Sequence, residues 1–191
     1  MLPEDQTVLG LAHAQVVVRP PRMTPSPHRR HTEESQVWEV SARQVGRPPV
    51  AHCWVHVNDQ ASDLFAYLVT CVDLDKHFVV RAYQNRVLVG DEAADGTARH
   101  LMDEVRRWPP HPAGDAVVDV PARPHQPARP AQVVLQWAPL TIAGGSHVRA
   151  DLAPLDLWAI RVWEPAPPAN VDPLEWVLLT DRPLTTVEDA Q

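Results

Sequence analysis

The chain has 191 residues, 45% of them hydrophobic, which suffices for one domain with a sizeable core and leaves room for a small insertion. Its formal net charge of -7 gives no global basic signature for nucleic acid, and its 21 prolines argue for loops and edge strands over a long helical bundle. No apolar run approaches the ~20 residues of a membrane-spanning helix. The first residues, Met-Leu-Pro-Glu-Asp, lack the basic region and apolar core of a signal peptide. With two cysteines, Cys53 and Cys71, and no Cys-x-x-Cys pair, a cytoplasmic protein without membrane contact is expected.

In chain order, residues 7–18 (TVLGLAHAQVVV) are β-branched and apolar with polar residues between, a pattern for one bent strand or two short ones. Four prolines and four arginines make a loop of 19–31. Thr32 reads as an N-cap with Glu33 and Glu34 in the first turn, so a helix is expected to about Gln44, ended by Gly46-Arg-Pro-Pro49. Residues 50–57 read as an apolar strand. Beyond Asp59, the apolar positions Ala61, Leu64, Phe65, Leu68, Val69 and Val72 fall at offsets of one helix face. Residues 77–82 give the next strand, so strand, helix and strand follow as in a βαβ unit with parallel strands. A helix is expected over 97–107, stopped by Pro109-Pro110. Short β segments at 115–120, 131–137 and 147–163 suggest an inserted antiparallel subdomain. A final strand at 175–180 precedes Thr185-Thr-Val-Glu188, which fits a capping box.

The βαβ reading places Asp59 at the carboxyl end of a strand, where α/β proteins tend to put ligands. Asp59 is thus either a helix N-cap or a metal ligand; Asp63, in the first helical turn, suits the helix dipole. The basic residues are 16 arginines and a single lysine, Lys76. Arginine is the better bidentate phosphate ligand, although compositional bias in GC-rich coding DNA is the simpler source of the excess. His52, Cys53 and His56 resemble a metal cluster by eye. On a strand, however, the two histidines sit roughly 13 Å apart and Cys53 faces the other way. No His-Glu-x-x-His pattern and no glycine-rich phosphate loop occur.

Six short words, in order over nearly the whole chain, resemble bacterial insertion-sequence transposases of the DDE type, in the IS-four family that includes the transposon-five enzyme. They are Gly10-Leu-Ala-His13 with Val18-Arg-Pro20; Glu34-Ser35 with Trp38; Asn58-Asp-Gln-Ala-Ser-Asp63; Phe78-Val-Val-Arg-Ala82 with Asn85-Arg86; Pro127-Ala-Arg129; and Pro173-Leu-Glu-Trp-Val-Leu-Leu-Thr180. The resemblance implies an α/β fold: an incomplete ribonuclease-H-like mixed sheet with an inserted antiparallel β subdomain. On that plan 1–110 is a partial core without the first catalytic strand, 111–168 the β-rich insertion, and 169–191 the return to the core, its final catalytic helix cut short.

In that family two Asp and one Glu hold two divalent metals, Mg²⁺ or Mn²⁺, for an in-line phosphoryl displacement on DNA. By resemblance Asp59 is the second of these carboxylates, catalytic and metal-binding in origin. Arg81, Arg86, Arg129 and Trp176 are then candidate DNA contacts at transposon ends, Trp176 by stacking on a displaced base. A packed strand tryptophan and solvated arginines are the plain alternatives. Gln60 and Ala61 stand where the family has Arg and Glu. The family's first Asp belongs upstream and its Glu just past Gln191, so one ligand of three is expected here and no DNA cutting by this chain. A non-catalytic DNA-binding or regulatory remnant is the alternative; the intact enzyme would allow a homodimer. Loss of the central first strand implies open sheet edges and marginal stability.

Overall fold

The computed structural model describes residues 7–8, 10–16, 27–90, 96–111, 115–122, 127–144 and 152–191. The protein is α/β, with six strands in one mixed sheet ordered β1-β2-β6-β5-β4-β3. Helix α1 (Pro27–Val45) leads to β1 (Val55–Asn58), a 3₁₀ turn (Gln60–Ser62), α2 (Phe65–Asp73) and β2 (His77–Arg81). Helix α3 (Leu101–Val105) precedes β3 (Asp115–Val120), β4 (Arg129–Ile142), β5 (Leu155–Trp163), β6 (Glu175–Thr180) and a last turn, α4 (Val187–Ala190). β1 and β2 are parallel, as expected for strands joined through a helix, while all other pairs are antiparallel. β3, β4 and β5 extend the same sheet beyond β6.

Strand alternation divides the apolar residues between two faces. One face gathers Phe78, Val80, Leu157, Ala159, Val177 and Leu179 under α1, α2 and α3, with Phe65, Leu68, Leu101 and Val105 from the helices. Phe78, Leu68 and Leu179 are fully buried there, each contributing roughly 1.5–3 kcal/mol. The other face gathers Ala131, Val133, Leu135, Ile160 and Val162 against Leu174, Leu184 and Ala190. That second cover does not reach β1, where Val55 and Val57 are 47% and 75% exposed.

Two buried polar side chains fasten helix ends to the sheet. Gln136 donates from Nε2 to the Val105 and Trp108 carbonyls, 2.8 Å each, holding the end of α3 on β4. Lys76 Nζ donates to the Ala42 carbonyl at 2.7 Å in the last turn of α1, where a cation also suits the helix dipole. α1 then ends on Gly46, whose φ of +74° and N–H bond to Ala42 form a left-handed cap.

Several elements differ from the sequence reading. The α1 backbone begins at Pro27, five residues ahead of Thr32, with proline's fixed φ suited to a first turn. Residues 7–8 and 10–16 join no strand and leave Val8, Leu11 and Val16 exposed; residues 9, 17 and 18 of the expected strand lie outside the described residues. A β-rich sequence becomes a strand only when it joins a ladder, and the described residues of this segment are not part of the sheet. The strand expected over 50–57 is confined to 55–58, because Ala51 turns the chain with φ +67°. The helix after Asp59 is broken into a 3₁₀ turn and α2, because Leu64 is extended between them. Helix α3 is shorter than 97–107; His100 bridges instead to Val87. The capping box closes on Thr186 and Asp189, one residue later than expected. Among the described residues, no helix is long and apolar enough to cross a membrane.

Candidate functional site

Asp59 lies just past the last β1–β2 pair, Asn58 with Val80, so it leaves the sheet beside Arg81 at the carboxyl ends of two parallel strands. Its carboxylate accepts from the Ala61 N–H at 3.0 Å, and its carbonyl accepts from the Ser62 hydroxyl at 2.9 Å. The N-cap geometry is therefore present at Asp59, on a 3₁₀ turn in place of an α-helix. Arg81 is exposed. β6 runs antiparallel to β2 with Leu178 opposite Arg81, which brings Trp176 to the same sheet end. Trp176 is half-buried and packs against the cluster of Ile160 and Val162.

The two remaining arginines are engaged by buried carboxylates. Arg86 donates from Nε to Asp63 Oδ1 at 3.1 Å and from a terminal nitrogen to the Asp63 carbonyl at 2.8 Å. Asp63, 2% exposed, also accepts from the Tyr83 and Gln84 N–H groups at 2.7 Å each. It does not sit in the first turn of α2, where a dipole role was expected. It ends the 3₁₀ turn and clamps the loop after β2. Arg129 makes two parallel bonds to buried Glu164, at 2.6 and 2.7 Å, the fork-to-fork geometry of a strong ion pair. The Arg129 guanidinium beside Glu164 holds that carboxyl below the usual range, and the Leu174 N–H adds to it. Arg129 enters β4 four strand spacings from β1, roughly 19 Å across the sheet at ~4.8 Å per strand.

Three features at this sheet end were missed in the sequence. Glu175 accepts from Arg106 at 2.7 Å and from Arg161 at 2.8 Å, and the Arg106 guanidinium, then Arg161, keep its carboxyl low. Arg161 in turn lies 4.4 Å from the Trp163 ring centroid, a cation–π contact. Beneath β1, the Tyr67 hydroxyl lies 2.7 Å from both His56 Nδ1 and Asn58 Nδ2. The alternation of His56 and Asn58 on an otherwise apolar strand was the available signal for this last cluster: two inward polar side chains demand a buried partner.

His52 lies outside the strand, exposed, with Nδ1 3.1 Å from the Val50 carbonyl, so it shares no face with His56. Cys53 is exposed and Cys71 buried. Among the described residues, no group of three His, Cys, Asp or Glu side chains is placed to hold a metal ion. The arrangement is therefore a capped carboxylate, one exposed arginine and a half-buried tryptophan on a sheet end, flanked by arginine–carboxylate pairs. In comparison with known proteins, the chain matches no family model and no curated protein sequence.

Proposed function

We propose that the chain derives from the core of a DDE transposase of the IS-four group, on an incomplete ribonuclease-H-like sheet, and that it engages transposon-end DNA without cutting it. The observation that carries this reading is convergence. Asp59, Arg81 and Trp176 come from three words far apart in the sequence, and all three leave the sheet at one end. Two further features support it. β1 and β2 are parallel with a helix between them, and among the described residues no strand pairs with the outer edge of β1, on the side where the first strand of that fold would lie.

In the family, Mg²⁺ or Mn²⁺ held by three carboxylates would stabilise the attacking and leaving oxygens. The residues here do not fit that clamp. By resemblance Asp59 is one ligand of three, its carboxylate is used in a cap, and no second ligand set stands near it among the described residues. No cutting step is therefore assigned. Binding would rest on Arg81, with Trp176 offering an aromatic edge to a displaced base. Arg86 and Arg129 would contribute by shaping the loops that present these two. A regulatory variant of the reading, in which the chain joins a mixed complex with an intact enzyme, draws on the same surface.

The test is a binding and nicking series on duplexes carrying the transposon ends that flank the coding sequence. The expected result is salt-sensitive retention, no nicks with Mn²⁺, and a salt slope reduced by about 1 in Arg81→Ala. Nicked product would restore a catalytic reading. Affinity no greater than for an unrelated duplex would remove the transposon-end reading altogether.

A further inference from the structure

β1 is an edge strand of four residues, held on one side by β2 and from below by side chains. Its two inward residues, His56 and Asn58, meet on a single atom, the hydroxyl oxygen of Tyr67 in α2. Tyr67 is 2% exposed and is fixed by packing against Trp38 of α1, ring centroids 6.0 Å apart. The phenol has one proton and two lone pairs. The Asn58 amide donates to one lone pair, so the proton is free for His56 Nδ1, which accepts only as a neutral ring carrying its hydrogen on Nε2.

A protonated His56 would turn Nδ1 into a second donor aimed at the same oxygen. The phenol proton would then lose its nitrogen acceptor, and the group left to it is the Cys71 thiol, one turn on in α2. Sulfur is the weaker acceptor, so a strong bond would be exchanged for a poor one. The charged groups around the ring give no compensation. Lys76, ahead of β2, is a cation; Asp181, after β6, is already paired with His77 at 2.7 Å; and α1 presents Trp38 to this cluster. Asp59, three residues on and just past the end of β1, is committed to its cap.

We propose that His56 is a proton-operated latch on the edge strand: neutral, it fastens β1 to α2 through Tyr67; protonated, it releases β1 and the turn that Asp59 caps. Burial, and next the nearby Lys76, push the His56 imidazole below its ordinary value of 6.5. The sign follows from this depression. The latch is fully closed above about pH 6.5, and its contribution is lost as pH falls through the lower folded-state value.

The test is made on the full chain and needs no DNA, so its outcome is separate from the reading of Asp59 as a transposase residue. Imidazole nitrogen NMR at pH 7.5 is expected to show the Nε2–H tautomer at His56. Amide exchange at Ala61 and Ser62, corrected for intrinsic rates, is expected to accelerate about threefold or more between pH 7.5 and pH 5. His56→Gln, which keeps an acceptor for the phenol and cannot titrate, is expected to flatten that response, and His77→Gln to leave it intact. An Nδ1–H tautomer in the unmodified protein would overturn the proposal, whatever the variants do. So would an unchanged pH response in His56→Gln, or its disappearance in His77→Gln.

Discussion

At the scale of single residues, Asp63 carries more of the structure than its position in the sequence suggests. Three residues donate to it, one of them a guanidinium and two of them backbone N–H groups. Its side chain has no exposed surface, and that of Arg86 is 13% exposed. Removing one member of such a pair leaves the other charged in a low-dielectric site. Asp63→Ala is expected to lower the unfolding free energy by about 3–5 kcal/mol in urea titrations followed by circular dichroism. A loss below 1 kcal/mol would show that water takes over the role of the carboxylate. Spacing alone had pointed Asp63 at a helix dipole, because the periodicity beginning at Ala61 looked continuous. The extended backbone at Leu64 breaks that continuity, and nothing in the local pattern announces it. Asp59 was legible as a cap and as the end of a strand, since both follow from an apolar run stopping at Asn58-Asp59.

Among the elements, β6 was legible to the residue, while β4 is twice as long as the segment read from the sequence. The reason is proline. Pro130 and Pro139 should interrupt a central strand, because each lacks an N–H for the ladder. Here each falls where β4 has one neighbouring strand. Pro130 lies in the part paired with β3 alone, and Pro139 in the part paired with β5 alone. The stagger of β3 against β5 makes room for both, and stagger is a long-range property that a local reading lacks. The same strands depend on carboxylates. Glu164 and Glu175 both titrate below their ordinary 4.5, held down by Arg129 and by Arg106 respectively. A depressed carboxyl stabilises the fold above about 4.5, and that contribution is lost as pH falls through the folded-state value. The stability difference between the unmodified protein and Glu175→Gln should therefore be constant from pH 7 to pH 5 and shrink below pH 4.5. Urea midpoints measured against pH would show it; a difference independent of pH would mean that Glu175 acts through packing alone.

For the molecule as a whole, the two edges of the sheet are unlike. β3 carries Asp115 and Asp119 and is followed by Pro121, devices that discourage pairing with another chain. β1 offers Val-His-Val-Asn with Val57 three-quarters exposed and no charge along it. Concentration-dependent association is therefore expected to begin at β1. Val57→Lys should slow it several-fold in light scattering, with little change in the unfolding midpoint. Equal rates would place the adhesive surface elsewhere. The α/β class and the parallel pair could be read from strand–helix–strand order. The single continuous sheet could not, since the strands of 115–163 read equally well as a unit of their own and their join to β6 depends on contacts far apart in sequence.

The burial of Lys76 has a chemical corollary. It is the only lysine in the chain, 1% exposed, with its ammonium seated on the last turn of α1. Amine-reactive reagents applied to the native protein have no other side-chain amine to find, so modification at Lys76 must wait for α1 to lift away from α2 and β2. Acylation at Lys76, read by peptide mass and so kept apart from reaction at the α-amino group, would serve as a clock for that one opening, built into the protein without mutation.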